Sequence, residues 1–185
     1  MRSIVQIFEA LDEYYHFTHT TNLINILKNN VWRCSEDDYH QLKDYQYYIS
    51  FTRSKNASTG YPTAIEEENQ VRIVLDGRKL SSKFIIEPVD YFPGFKNFIP
   101  RSKQRDPKAY ELYKDEWKKQ TNVEAEERLY TKLQELKDPT KYIKRIELCS
   151  SNTDSTDIEE IKTLCSKLRC DLRIYNSLKE YKIGR

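Results

Sequence analysis

Three short segments of this 185-residue chain carry polar side chains where an ordinary core strand or helix does not need them. They are residues 16–22, with two histidines, residues 50–53, ending in an arginine, and residues 124–128, with three glutamates. Each has an ordinary structural explanation, as surface or hydrogen-bonded histidines, an ion-pairing arginine and a solvated acidic helix face. Their chemistry depends on whether the fold brings them to one cleft.

Periodicity predicts the elements that must position these segments. Apolar spacing predicts a helix over 3–13, and Thr20 or Thr21 can cap a helix over 22–29 that stops at Asn29-Asn30. Strands are predicted at 14–18, 50–53, 71–75, 84–88, 142–149 and 171–175. A capped helix from Ser155 or Thr156 to Leu168 and a final polar tail complete the pattern, and Asp76-Gly77 indicates a turn between two antiparallel strands.

This order of elements favours one α+β domain over residues 1–185, since strands cluster and helices lie mostly at the two ends. No stretch approaches the roughly 20 apolar residues that cross a bilayer, so we expect a cytoplasmic protein with no membrane contact. The four cysteines form no CxxC pair, which favours free thiols and no metal site. A net charge of +2 leaves any polyanion site to a local patch.

The first polar segment resembles the opening strand and helix of ADP-ribosyltransferase domains, and its double-histidine form is similar to the DarT-like DNA ADP-ribosyltransferases. The matching positions are His16, Phe17, Thr18, His19, Asn22 and Leu23. The second segment resembles the DarT-like strand that ends in a catalytic arginine, here Arg53. The third resembles the Ala-Glu strand of that branch, which makes Glu126 the catalytic glutamate.

The resemblance implies a split, mainly antiparallel pair of β-sheets with flanking helices, and NAD as the substrate that supplies ADP-ribose, without a metal. His16 would donate to the ribose hydroxyls on the adenosine side, Thr18 would hold nicotinamide or ribose, and Phe17 would act through its backbone. Arg53 would bind the diphosphate or orient Glu126.

Two further cleft residues follow from strand geometry. Ser50 and Thr52 alternate with Phe51, so they share one face of their strand and are expected to line the cleft.

Residues 92–122 form a basic and aromatic segment just before Glu126, where this fold places its acceptor-recognition loop. Arg101, Lys103 and Arg105 lie in it. Cations interleaved with aromatics suit single-stranded nucleic acid, DNA or RNA, although a solvated helix with an aromatic core stripe explains the pattern as well. Glu124, two residues before Glu126, could contact the acceptor.

The first hypothesis is therefore a mono-ADP-ribosyltransferase that modifies a base in single-stranded nucleic acid, acting as a toxin or anti-phage effector with an antitoxin protein as a possible partner. A second keeps the chemistry and makes the acceptor a protein side chain, which the Glu124/Glu126 pair permits. A third is a catalytically inactive module that binds a nucleotide or nucleic acid. A further alternative, an RNA 2′-phosphotransferase of related fold, is less favoured, because it would give residues 124–128 no role.

Overall fold

The computed structural model describes residues 12–36, 46–52, 70–89 and 126–183. Arg53, Glu124 and the basic segment 92–122 lie outside the described residues. The helix expected over 3–13 also lies outside them except at its end, where Glu13 begins a strand instead.

Ten strands and four helices make up the described part of the chain. The strands are β1 (Glu13–His19), β2 (Val31–Arg33), β3 (Ser35–Glu36), β4 (Tyr47–Thr52), β5 (Gln70–Asp76), β6 (Ile85–Val89), β7 (Glu126–Thr131), β8 (Glu135–Lys137), β9 (Ile143–Cys149) and β10 (Leu172–Tyr175). The helices are α1 (Thr20–Asn29), α2 (Gly77–Ser81), α3 (Ser155–Leu168) and α4 (Leu178–Ile183), with 3₁₀ turns at Pro139–Tyr142 and Ser150–Asn152.

Most strands join one sheet in the order β10-β9-β5-β1-β4-β7-β6, with β3 against β4, while β2 and β8 form a separate ribbon. All neighbours are antiparallel except β9 and β10. The β1–β5 ladder runs from Glu13↔Asp76 to His19↔Gln70, but Tyr15↔Thr52 is the single register pair between β1 and β4. We call this junction the seam. It divides the sheet into a first half (β10, β9, β5, β1) and a second half (β4, β7, β6, β3), which confirms the predicted split α+β fold.

Helix α1 forms where it does because its apolar side chains make one buried face. Leu23, Ile24, Ile26 and Leu27 are all in the core. The helix ends at Asn30, whose φ of 49° lies in the left-handed region that asparagine tolerates, so the predicted stop is confirmed. The predicted cap is wrong: His19 is the N-cap, and the buried Thr20 hydroxyl donates to Asp157 of α3 at 3.0 Å.

The predicted strand pair around Asp76-Gly77 is also wrong. Asp76 accepts a hydrogen bond from the Lys79 backbone N–H at 3.0 Å and so caps α2 in place of a two-residue hairpin turn. The helix carries the chain to the other half of the sheet. As a result β5 pairs with β1 and β9, whereas β6 pairs with β7.

The C-terminal elements agree with the sequence up to residue 175. Helix α3 begins after Asp154, which accepts from Thr156 N–H, and it ends at Leu168 as expected. The expected polar tail is instead α4, whose Tyr181 is 1% exposed and packs 5.9 Å from the ring of Tyr175. One buried tyrosine among polar neighbours is too weak a pattern for a helix prediction.

Two further properties concern the described residues only. The four cysteines are free thiols, as predicted. No helix within the described ranges has the length and apolar content of a membrane span.

Candidate active site

His16 lies on β1 next to the seam, and its side chain reaches across it. Its Nδ1 is 2.8 Å from the carbonyl oxygen of Ser50 on β4. A carbonyl only accepts, so Nδ1–H donates and the Nε2 of the neutral ring is an acceptor. The Trp32 ring packs against the imidazole in a T-shaped contact, with centroids 4.7 Å apart. Two independent contacts therefore fix the orientation of His16.

This geometry corrects the role expected for His16. Burial lowers the pKa of His16 below its ordinary value of 6.5, and the opposing effect of the Ser50 carbonyl is smaller. The ring is neutral at pH 7, and Nε2 therefore carries a lone pair that can accept a hydrogen bond and no proton that it could donate. A ribose hydroxyl can still bind there, because a hydroxyl both donates and accepts.

A pH dependence of stability follows from the lowered pKa of His16. The unfolded chain takes up a proton near pH 6.5 and the folded chain resists it, so stability is retained above that pH and lost as the pH falls below it. We expect urea unfolding at about pH 7.5 and about pH 5.5 to show a larger stability loss in wild type than in His16→Asn. His19→Gln, at an exposed position, is the control. A wild-type imidazole that is protonated at neutral pH by NMR would contradict the prediction.

Thr18 and Asn22 continue the polar surface from His16. Asn22 Nδ2 donates to Thr18 Oγ1 at 3.3 Å, which links the end of β1 to the first turn of α1. Thr18 alternates with Phe17 on the strand, so it shares a face with His16. Asn22 is exposed and Thr18 is 9% exposed, so the pair forms a small polar shelf beside the imidazole.

The remaining predicted residues of this segment do not join that shelf. Phe17 and His19 belong to the opposite face of β1, which leaves only the backbone of Phe17 for the role predicted for it. Leu23 is 0% exposed within the core. The structure therefore corrects its assignment as a cofactor-binding residue: its side chain packs α1 and has no surface for a ligand.

The second half of the sheet brings the backbone of Ser50, Thr52 and Glu126 to the same seam. Thr52 pairs with Tyr15, so the side chains of Ser50 and Thr52 lie on the face of the sheet opposite to that of His16, and the expectation that they line one cleft with His16 is corrected. Thr52 is 9% exposed and lies opposite both Tyr15 of β1 and Glu126 of β7. Glu126 is the first residue of β7 and also lies opposite Val89 of β6. Two strand spacings, roughly 10 Å, thus separate the backbone of Glu126 from β1.

Sequence reasoning missed two residues that the structure places beside this site. Trp32 is 5% exposed and packs against both His16 and Phe51. Arg128 is 8% exposed, lies opposite Ser50 in register, and stacks its guanidinium 3.8 Å above the Tyr48 ring. The feature of the sequence that could have indicated Arg128 is its position two residues after Glu126 on a predicted strand.

A buried ionic network lies on the face of the first half-sheet opposite His16. Arg72 Nε donates to Glu147 at 2.6 Å, and Arg145 Nε donates to the other oxygen of Glu147 at 2.5 Å. Arg145 also forks onto Glu13 at 2.6 and 3.0 Å, and these hydrogen bonds hold the pKa of Glu13 at about 2. Arg72 further donates to the Tyr181 carbonyl at 2.9 Å. The network fixes β1 to β5 and β9 and holds α4 on the sheet.

Arg101, Lys103, Arg105, Arg53 and Glu124 lie outside the described residues and stay predictions. Within the described ranges, no three His, Cys, Asp or Glu side chains come together as a metal-ligand group.

No protein-family model matches the chain, and no curated protein matches it. Solved structures of Thermus sp. 2.9 DarT do match in three dimensions. The DarT complex with carba-NAD+ has a TM-score of 0.51 at 13% identity, covering 94% of this chain and 99% of that one. The complex with NAD+ gives 0.49 at 14% identity over 92% and 98% of the two chains, and the complex with ADP-ribosylated ssDNA gives 0.48 at 13% over 91% and 95%. At this identity the similarity establishes the architecture, and the chain has the DarT-like α+β ADP-ribosyltransferase fold.

Proposed function

We propose that this chain is an NAD-dependent mono-ADP-ribosyltransferase that modifies a base in single-stranded nucleic acid. One observation supports the proposal: β1, β4 and β7, the strands that carry His16, Thr52 and Glu126, lie side by side at the seam of the sheet. A solved structure with this fold, Thermus sp. 2.9 DarT, is in complex with carba-NAD+, which supports NAD as the substrate. Residues 1–185 act as one catalytic domain.

The shelf on β1 binds the nucleotide. His16 accepts from a ribose hydroxyl through Nε2, while Thr18 and Asn22 supply a hydroxyl and an amide to the nicotinamide end. Arg53 follows directly after β4, and its planar guanidinium suits the diphosphate of NAD or the carboxylate of Glu126.

Glu126 carries the chemical step. The bond between nicotinamide and C1 of its ribose breaks, and nicotinamide leaves with the electron pair. The cationic, oxocarbenium-like ribose that remains is stabilised by the carboxylate, as in glycoside hydrolysis. A nucleophilic atom of the acceptor base then bonds to C1, and the proton it loses passes to the carboxylate or to water.

The acceptor assignment rests on the DarT-like motifs and on the basic segment. A base inside a duplex cannot reach C1, so an unpaired base is required. Arg101, Lys103 and Arg105 would hold the phosphates, and Glu124 would contact the base. Such an enzyme acts as a cytoplasmic toxin or anti-phage effector, and an antitoxin protein is its expected partner.

Nicotinamide release tests the proposal. Purified protein is incubated with labelled NAD and single-stranded DNA, single-stranded RNA or cell lysate in separate reactions, and release and label transfer are followed. Release that requires one nucleic acid, with label on that polymer, supports the proposal and names the acceptor. Label on lysate protein alone replaces it with a protein-modifying transferase. Folded protein that releases no nicotinamide under any condition overturns the enzyme and leaves a binding module.

A further inference from the structure

A chain of aromatic contacts crosses the seam of the sheet. On one side, the Tyr14 ring of β1 lies 5.9 Å from the Phe51 ring of β4, measured between centroids. Phe51 in turn lies 6.5 Å from Trp32, and Trp32 lies 4.7 Å from His16, which is again on β1. Because β1 and β4 share a single register pair, these rings add side-chain packing where the backbone pairing is short. We call the four rings the seam cluster.

Trp32 is the member of the seam cluster that belongs to neither half of the sheet. It is the central residue of β2, and all three positions of β2 pair with β8. Just beyond β2, the Cys34 backbone N–H donates to the Gln134 carbonyl at 2.9 Å, which extends the ribbon. The indole is 5% exposed and contacts His16 in one half of the sheet and Phe51 in the other. Backbone pairing in the ribbon therefore anchors the indole separately from the two strands that it contacts.

Ser50 and Trp32 restrict the His16 side chain in different ways. The hydrogen bond from Nδ1–H to the Ser50 carbonyl fixes one atom of the imidazole. The Trp32 ring packs at 72° to the imidazole plane, so an imidazole that turned away from this carbonyl would also lose the contact with Trp32. The hydrogen bonds of the ring nitrogens decide which of them carries the proton. A smaller side chain at position 32 would give the imidazole room to turn, and the tautomer with its proton on Nε2 would become populated.

We propose that Trp32 is a positioning residue of the nucleotide site, which holds the His16 imidazole so that Nδ1 donates to Ser50 and Nε2 is left to accept from NAD. This inference rests on the proposed function and adds to it a residue that acts through His16. NAD binds the imidazole in this one orientation, so its apparent affinity falls with the fraction of molecules that have it. An aromatic contact of this kind shifts an equilibrium by roughly two- to tenfold, and we expect Trp32→Leu to weaken NAD binding by about fivefold.

Heteronuclear NMR of the imidazole nitrogens tests the first part of the proposal without NAD. The chain has three histidines, and His16→Asn identifies the signals of His16. At about pH 7.5 we expect the His16 proton on Nδ1 in wild type and in Trp32→Phe, because phenylalanine keeps an aromatic ring against the imidazole. Trp32→Leu is expected to show a mixture of both tautomers. Trp32→Met keeps more of the buried volume and is expected to show the same mixture if circular dichroism finds the leucine variant unfolded.

Tyr142→Leu is the matched control for a general loss of core packing. Tyr142 is 5% exposed, as Trp32 is, and it makes a T-shaped contact with Phe84 at 5.6 Å. Both leucine variants therefore lose a similar aromatic contact, and both are expected to be less stable in urea. Only the substitution of Trp32 is expected to change the His16 signals.

Calorimetry of NAD binding tests the second part of the proposal. Relative to wild type we expect Trp32→Leu to bind NAD about fivefold more weakly, and Trp32→Phe and Tyr142→Leu to bind within about twofold. In a His16→Asn background, Trp32→Leu should cause no further loss, because Trp32 acts through His16. Equal losses in both backgrounds would show that Trp32 acts independently of His16 and would overturn the proposal.

The NMR result separates this inference from the proposed function. A folded Trp32→Leu protein with the wild-type His16 tautomer overturns the proposal, whatever the protein does with NAD. If the tautomers change as expected but the wild-type protein binds no NAD, the proposed function is overturned together with the nucleotide site, while the effect of Trp32 on the His16 ring stands.

Discussion

Replacing Glu126 with glutamine is expected to slow ADP-ribose transfer by about 10²–10³-fold. Glutamine keeps the size of the side chain and one oxygen acceptor, but it lacks the negative charge that stabilises a cationic ribose. Loss of one preorganised electrostatic group at a reacting centre costs about 2.7–4 kcal/mol in the transition state. The measurement is the initial rate of nicotinamide release at saturating NAD and acceptor.

The neighbouring carboxylate provides the control for this experiment. Glu127→Gln removes the same charge from the next position on β7 and is expected to keep most of the activity. NAD binding by calorimetry should be similar in wild type and Glu126→Gln, because the effect belongs to the transition state and not to ground-state binding. A Glu126→Gln protein with near wild-type rates would remove Glu126 from the chemistry. Equal losses in both variants would point to a general effect of charge on the strand.

The second large effect concerns stability. Arg72→Leu is expected to lower the free energy of unfolding by about 3–5 kcal/mol, since it leaves Glu147, which is 0% exposed, without one of its two arginine partners. The substitution also removes the hydrogen bond to the Tyr181 carbonyl and the guanidinium contact with the Tyr181 ring at 4.6 Å. Urea unfolding followed by circular dichroism measures the change.

A paired substitution separates a buried-charge effect from a simple loss of packing. In Arg72→Leu/Glu147→Leu no carboxylate is left behind, and Arg145 keeps its fork onto Glu13, so we expect much of the lost stability to return. Arg78→Leu, at an exposed salt bridge to Asp12, is the surface control and should change stability by less than about 0.5 kcal/mol. A double variant as unstable as Arg72→Leu would mean that the network stabilises through packing and not through charge pairing.

Local patterns predicted many of the elements, although not the short strands β2, β3 and β8 or the helices α2 and α4, and they did not predict which strands pair. The strand around residue 16, the helix ending at Asn30 and the β9–α3–β10 sequence were predictable, because periodicity and helix stop signals act within a few residues. The pairing of β5 with β1 and β9 was not, because Asp76 is equally suited to a turn and to a helix cap. Arg72 follows an alternating pattern that would place it in solvent, and only Glu147, 75 residues away along the chain, explains its burial.

The sequence predicted the candidate site to a similar extent. The motifs at residues 16–22, 50–53 and 124–128 indicated which strands matter, and the register now places β1, β4 and β7 side by side. Leu23 matched the family motif but lies in the core. The motif could not show this, because it describes residue types and not their exposure. His16 donates to a backbone carbonyl, and no residue type in the sequence indicates such a hydrogen bond. The role of the other ring nitrogen, Nε2, as an acceptor could therefore not be predicted from the sequence.

The strand order of the first half-sheet also bears on how the chain folds. One of its interior strands, β5, pairs with β1 some 57 residues earlier and with β9 some 73 residues later, as in Ile73↔His16 and Ile73↔Ile146. Contacts this distant in sequence raise contact order and slow folding. During synthesis β1 and β5 leave the ribosome well before β9 can cover the second edge of β5. The half-sheet that carries His16 is therefore completed late, and a partly synthesised chain exposes an unpaired apolar strand that chaperones would recognise.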